Sequence, residues 1–158
     1  MRNFIVLSAV FVCFLGYARF SYGQSETTMQ DILETVNGKI TELEDEKDQE
    51  IVNITLDLLV DQGTKSVIRY LDPAFNYMVI AFGDRRISKL KLTIYKKVID
   101  DWVYVNDATG ANPQINITPS TSEFEQYRFT STVDEFKEDN RTGHFALLIY
   151  HRNPEKKK

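Results

Sequence analysis

Past Glu50 the apolar residues stop recurring at every third or fourth position and begin recurring at every second. That change of period decides what the chain can become, because a two-residue repeat suits a pleated strand and not a helix. Ile54, Leu56, Leu58 and Val60 alternate with Thr55, Asp57 and Leu59, which predicts a strand burying the face that carries the first four. Asp61-Gln62-Gly63 supplies a turn, Ser66 to Leu71 reads as a second strand, and Asp72-Pro73 breaks it. Tyr77 to Phe82 is a continuous apolar run, as expected of an internal strand, and Leu90, Leu92 and Ile94 alternate with Lys89, Lys91 and Thr93. Trp102 to Val105 gives a further strand, ended by a turn cluster from Asn106 to Pro113. Ile115 and Ile117 mark another, stopped by Pro119. Phe124 to Val133 and Phe145 to Tyr150, separated by a polar loop from Asp134 to Gly143, complete the set. About eight strands with short turn-bearing connections predict a mainly β fold, an antiparallel β-sandwich of jelly-roll-like form.

Ahead of this domain the period is helical. Met29, Ile32, Leu33, Val36, Ile40 and Leu43 recur at three- and four-residue steps between Thr28 and Lys47, making a narrow apolar stripe. Thr27 or Thr28 can cap the helix, and Asp31 in its first turn suits the helix dipole. The stripe has two possible partners, the β domain or another chain. Gly38 weakens the helix by about 1 kcal/mol relative to alanine.

The first residues read as an export signal: Arg2, then an apolar stretch from Phe4 to Gly16, then Ser21 and Gly23 at the positions where a cut needs small residues. The stretch is shorter than the roughly 20 apolar residues of a membrane span, and Arg19 interrupts it. Cleavage before Gln24 would leave a secreted or periplasmic domain with no membrane insertion. Residues 1–23 are thus a signal peptide, 24–50 the helical segment, 51–152 the sandwich and 153–158 a disordered basic tail. Cys13, the sole cysteine, falls inside the leader, so the mature domain carries no disulfide and no thiol chemistry. The full chain has 19 basic and 23 acidic residues, and losing Arg2 and Arg19 leaves 17 against 23, a net charge of −6. That balance excludes a general nucleic-acid binder. Eleven acids stand between Gln24 and Asp61, whereas Arg85 to Lys97 holds six bases and no acid. The two parts either neutralise each other or leave a basic face for an acidic partner.

Familiar catalytic equipment is missing: the sequence has no His-Glu-x-x-His, no Gly-x-Ser-x-Gly, no phosphate loop and no dinucleotide fingerprint. His144 and His151 are seven residues apart on one predicted strand, and an odd spacing sends them to opposite faces, so they cannot share a metal. Asp100, Asp101, Glu123 and Glu125 are carboxylates that a hydrolase could pair only across a cleft. The sequence points to no enzyme, no cofactor and no metal. Three tripeptides fit the glycan-acceptor pattern, at Asn53, Asn116 and Asn140, and Asn140 lies in the polar loop. The candidate binding residues are Trp102 and Tyr104. If Val103 and Val105 face the core, the pleat aims both rings outward, with Arg85, Lys89 and Lys91 as hydrogen-bond donors beside them provided the strands adjoin.

The pieces Tyr77-Met78-Val79-Ile80-Ala81-Phe82-Gly83-Asp84, Leu90-Lys91-Leu92-Thr93-Ile94-Tyr95, Ile117-Thr118-Pro119, Tyr127-Arg128-Phe129 and Phe145 to Tyr150 occur in an order that resembles the bacterial pre-peptidase C-terminal (PPC) domain family. The resemblance covers roughly half the chain, about Tyr77 to His151, and implies a β-sandwich module of an exported protein, here a free-standing relative without a protease. Members often carry two acids flanking a leucine before the central strand. Lys89 and Lys91 stand in those places, and lysine repels a cation instead of ligating it. The expected function is a non-catalytic exported module that binds a glycan or a protein. The alternative is an envelope or assembly subunit that self-associates through its N-terminal helix or strand edges.

Overall fold

The computed structural model describes residues 29–152; the leader, Cys13, the capping threonines and the basic tail lie outside the described residues. Helix α1 (Met29–Thr41) runs into a single π-helical turn, Glu42–Glu46, and eight strands follow. They are β1 (Gln49–Val60), β2 (Thr64–Leu71), β3 (Tyr77–Gly83), β4 (Ile87–Val98), β5 (Asp101–Gly110), β6 (Gln114–Ile117), β7 (Glu125–Phe136) and β8 (Thr142–Arg152). They form two antiparallel four-stranded sheets, ordered β1-β8-β3-β6 and β2-β7-β4-β5. The mainly β, sandwich-like fold expected from the period is the fold observed.

Between the sheets lies one apolar core: Val79, Ala81, Phe145, Leu147 and Ile149 from the first sheet meet Leu90, Leu92, Ile94, Tyr127 and Phe129 from the second. A second cluster sits outside the first sheet, where Ile32, Val36 and Leu43 of the helical segment cover Ile80, Phe82, Ala146, Leu148 and Tyr150. Strands β3 and β8 are therefore buried on both faces, which explains their unbroken apolar runs. The helical stripe packs on the sandwich of its own chain, and the molecule has three layers.

Strand β1 departs from expectation. Its predicted core series faces outward: Ile54, Leu58 and Val60 are exposed, while Asn53 and Leu59 are buried. The reason is position. β1 is the outermost strand of its sheet, and along that side the sandwich is closed by polar bridges to β2. Arg69 Nε donates to Asn53 Oδ1 at 2.7 Å, and Lys65 pairs with Asp57 at 2.9 Å. Asn53 also donates to Thr55 Oγ1, so this first glycan-acceptor asparagine is enclosed. The expected turn cluster from Asn106 is a second departure, since β5 continues to Gly110, and Asp107-Ala108-Thr109-Gly110 pairs with β4 instead of turning. The polar loop is likewise shorter than expected, with β7 reaching Phe136 and β8 starting at Thr142.

Candidate functional site

The two sheets differ on their outer sides, and the second sheet's outer face has no cover among the described residues. Its side chains follow from the pleat. On β7, Tyr127, Phe129 and Ser131 point inward, so Gln126, Arg128 and Thr130 point out. On β2, Leu71 is buried, which turns Tyr70 and Ile68 outward. Cross-strand pairing then sets Ile68 opposite Arg128, Arg128 opposite Tyr95 and Tyr95 opposite Tyr104, one continuous row across four strands. Trp102 stands opposite Lys97 on the same face.

Arg128 is the centre of this row. Its guanidinium carbon lies 4.5 Å from the centroid of the Tyr95 ring and 4.8 Å from that of Trp102. Lys97 Nζ sits 5.5 Å from the Trp102 ring and donates to the Asp100 carbonyl. Such cation–ring contacts fix both partners by the ring quadrupole without a carboxylate. Tyr95 and Tyr104 meet edge to face, 6.3 Å between centroids. The Tyr104 hydroxyl donates to Asp107, which also pairs with Lys91 at 3.4 Å. That hydrogen bond raises the Tyr104 phenol above its ordinary value and holds the Asp107 carboxyl below its own. Tyr70 and Tyr104 remain 67% and 55% exposed. At the β4–β5 turn, Ile99 is 90% exposed with φ 55°, a conformation that a β-branched residue adopts only under strain.

Trp102 and Tyr104 thus share a face, as the outward reading required, but for a different reason. Val103 and Val105 are exposed and do not reach the core. Val105 is instead the extra residue of a bulge, since Tyr95 pairs with Tyr104 and Ile94 with Asn106. Of the donors expected beside the rings, Lys91 is joined to Tyr104 through Asp107, whereas Lys89 and Arg85 are elsewhere. Because β4 and β5 are antiparallel, Trp102 meets the end of β4, and Lys89 near its start is roughly 25 Å away at about 3.3 Å per residue. Lys89 pairs with Glu135 at 2.5 Å, and Arg85 reaches Asp31 of α1 at 3.5 Å on the other side of the sandwich. The donors beside Trp102 are Lys97 and Arg128. Arg128, Tyr95 and Tyr70 were not singled out in the sequence; the outward slot between Tyr127 and Phe129 was its only sign of Arg128.

Other polar clusters serve the fold. Burial by itself would raise the Glu125 carboxyl, but Lys96, Tyr127 and the donors of Thr121 and Ser120 outweigh it and hold it at about 2. Lys96 Nζ lies 2.6 Å from Glu125 and the Tyr127 hydroxyl 2.5 Å. This carboxylate ties the β6–β7 connection to the sheet. Asp101 and Glu123, two of the other candidate carboxylates, lie on exposed chain. Asp84 accepts from Arg86 Nη2 at 3.1 Å and from the His144 amide at 2.8 Å, pinning the β3–β4 loop to β8. His144 lies on the helix side, and His151 stacks on Phe75 at 4.0 Å between the sheets, so the two imidazoles are on opposite faces. Among the described residues no group of His, Cys, Asp and Glu is arranged to hold a metal ion. A groove of about 410 Å³ at one end of the first sheet is lined by Gln49, Asn76, Met78, Asn116, Tyr150 and Arg152 among others.

The six bases between Arg85 and Lys97 are largely matched, and Arg85 reaches an acid of the N-terminal segment, Asp31. Arg86, Lys89, Lys91 and Lys96 take Asp84, Glu135, Asp107 and Glu125.

No protein-family model matches the chain, and no curated protein matches it. Among solved structures, the crystal structure of the Yersinia pseudotuberculosis-derived mitogen superposes with a TM-score of 0.50 at 8% identity, over 69% of this chain and 91% of that one. The P-domain of Macrobrachium rosenbergii nodavirus gives a TM-score of 0.31 at 10% identity, over 66% of this chain and 93% of its own. At 8% identity, the similarity to the mitogen is one of fold alone, a β-rich domain of comparable build.

Proposed function

We propose that the protein is an exported, non-catalytic β-sandwich module that binds a partner protein outside the cytoplasm through the outer face of sheet β2-β7-β4-β5. The observation that carries this reading is the Tyr95–Arg128–Trp102 stack with exposed Tyr70, Tyr104 and Ile99 around it. Tyrosine, tryptophan and arginine are the residues that concentrate binding energy at protein interfaces. A glycan is the weaker fit of the two ligand classes. A sugar needs an open ring face, and Trp102 is only partly exposed, with Lys97 and Arg128 already over its ring. The location rests on reading residues 1–23 as an export signal and on the resemblance of the strand sequences to PPC modules.

The test places a photo-crosslinking residue at position 70, and at position 65 as a control on another surface. Protein adducts from the extracellular fraction at position 70 alone, suppressed by Tyr104→Ala, are expected. Adducts of equal yield at both positions, or retention of glycans and not proteins, would overturn the reading.

One observation favours the alternative of self-association: β1 is a long edge strand with Ile54, Leu58 and Val60 exposed. Sedimentation that depends on concentration, and ceases to do so in Leu58→Lys, would establish it.

A further inference from the structure

We propose that Arg128 is the anion-recognition point of this face and that the partner presents to it the carboxylate of a single aspartate or glutamate. The inference rests on the protein-binding reading above and names the chemistry of its centre.

Four of the basic residues on β4 and its approach have a carboxylate partner there, and Lys97 donates to a carbonyl. On β2, Lys65 has Asp57 and Arg69 has Asn53. Arg128, in the middle of the same sheet, takes part in no ion pair among the described residues, and its Nε is buried with no hydrogen-bond partner. Its charge is held by the faces of Tyr95 and Trp102. Stacking covers the plane of a guanidinium and Nε is enclosed, so the edge left for an acceptor is the outer pair of Nη groups, a rigid fork that matches a carboxylate. The arginine is thus oriented before a partner arrives, so little side-chain entropy is lost on binding.

What surrounds it selects the source of the anion. Ile68, Tyr70 and Tyr104 form an exposed, largely apolar border, which suits exclusion of water around one buried ion pair. A polyanion such as a sulfated glycan or nucleic acid is held by many cations along its length. Here, among the described residues, the only other base over the rings is Lys97, on a chain of formal net charge −4. One carboxylate on an otherwise apolar protein surface fits both facts.

The experiment follows the Arg128 Nε–H and Trp102 indole N–H resonances of the ¹⁵N-labelled protein. The probes are a blocked tripeptide with glutamate between two leucines, its glutamine analogue, inorganic sulfate and a heparin-derived tetrasaccharide. The expected result is a saturable shift of both resonances by the glutamate tripeptide, about tenfold weaker with glutamine, and abolished in Arg128→Gln. Arg128→Lys, which keeps charge but not the fork, is expected to weaken binding with an unchanged melting curve. It serves as the informative variant if Arg128→Gln fails to fold. Equal response to both tripeptides, no response, or a stronger response to sulfate or the tetrasaccharide overturns the inference. If the tripeptide fails while position 70 still crosslinks to protein, only the carboxylate assignment falls; if crosslinking fails too, the protein-binding reading falls with it.

Discussion

The outer faces of the two sheets begin alike, each built by strands whose second face is not needed for the central core, and end differently. Ile80, Phe82, Leu148 and Tyr150 of the first are buried beneath α1 and the turn after it. Tyr70, Ile68 and Tyr104 of the second stay open. Chemistry separates the two. The covered patch is rich in aliphatic surface, which gains about 25 cal/mol per Å² when removed from water. The bare face instead uses tyrosines with wet hydroxyls and cations lying on rings, which tolerate solvent. A face left open in this way is organised without being buried, and its cost to the fold is small.

Mutations on the two faces should therefore separate. Leu148→Ala, in the covered patch, is expected to cost about 2–5 kcal/mol by denaturant unfolding, because it leaves a cavity beneath the helix. A cost below that range would show that the helix is a loose cover, and the contrast would fail. The next effect is one of pH. The folded Glu125 carboxyl is held at about 2, below its ordinary 4.5. Its contribution is complete above the unfolded value and is lost as pH falls through the folded one. Stability of the wild type should thus drop between about pH 5 and 2 more steeply than that of Glu125→Gln, as read from melting temperatures; parallel curves would remove Glu125 from the account. Ile99→Gly should raise stability by about 1 kcal/mol by relieving the positive φ at the exposed turn, while weakening partner capture. A gain in both would show that the isoleucine serves no interface. Last, Tyr70→Ala should alter stability by no more than about 0.5 kcal/mol. A loss as large as that of Leu148→Ala would make Tyr70 structural.

What could be read from the sequence depended on how many neighbours a residue has. Tyr77 to Phe82 announced an internal strand because both of its faces are covered, and β3 indeed lies between β8 and β6. In β1 alternation showed two faces but not which was inner. An apolar series at a sheet edge can point outward when the inner side is closed by Asn53–Arg69 and Asp57–Lys65. Residues 106–110 carry turn chemistry, and pairing with β4 overrode it. For the candidate site, Trp102 and Tyr104 were visible as an aromatic pair on one predicted strand. Arg128 was not, since its two ring partners are distant in sequence and meet it only through the register of β7 with β4 and of β4 with β5.

Register also makes that aromatic display easy to lose. Asp107 and Thr109 share the outer side with Trp102 and Tyr104 despite opposite parity in the numbering, because one unpaired position, Val105, resets the phase of the strand. Were Val105 to enter the ladder opposite Tyr95, with the Asn106–Gly110 half kept in place, Tyr104 and Trp102 would each move on by one position, swing toward the rim of the core and strip Arg128 of one of its two aromatic supports. Recognition by this face would vanish at a stroke, with no residue exchanged.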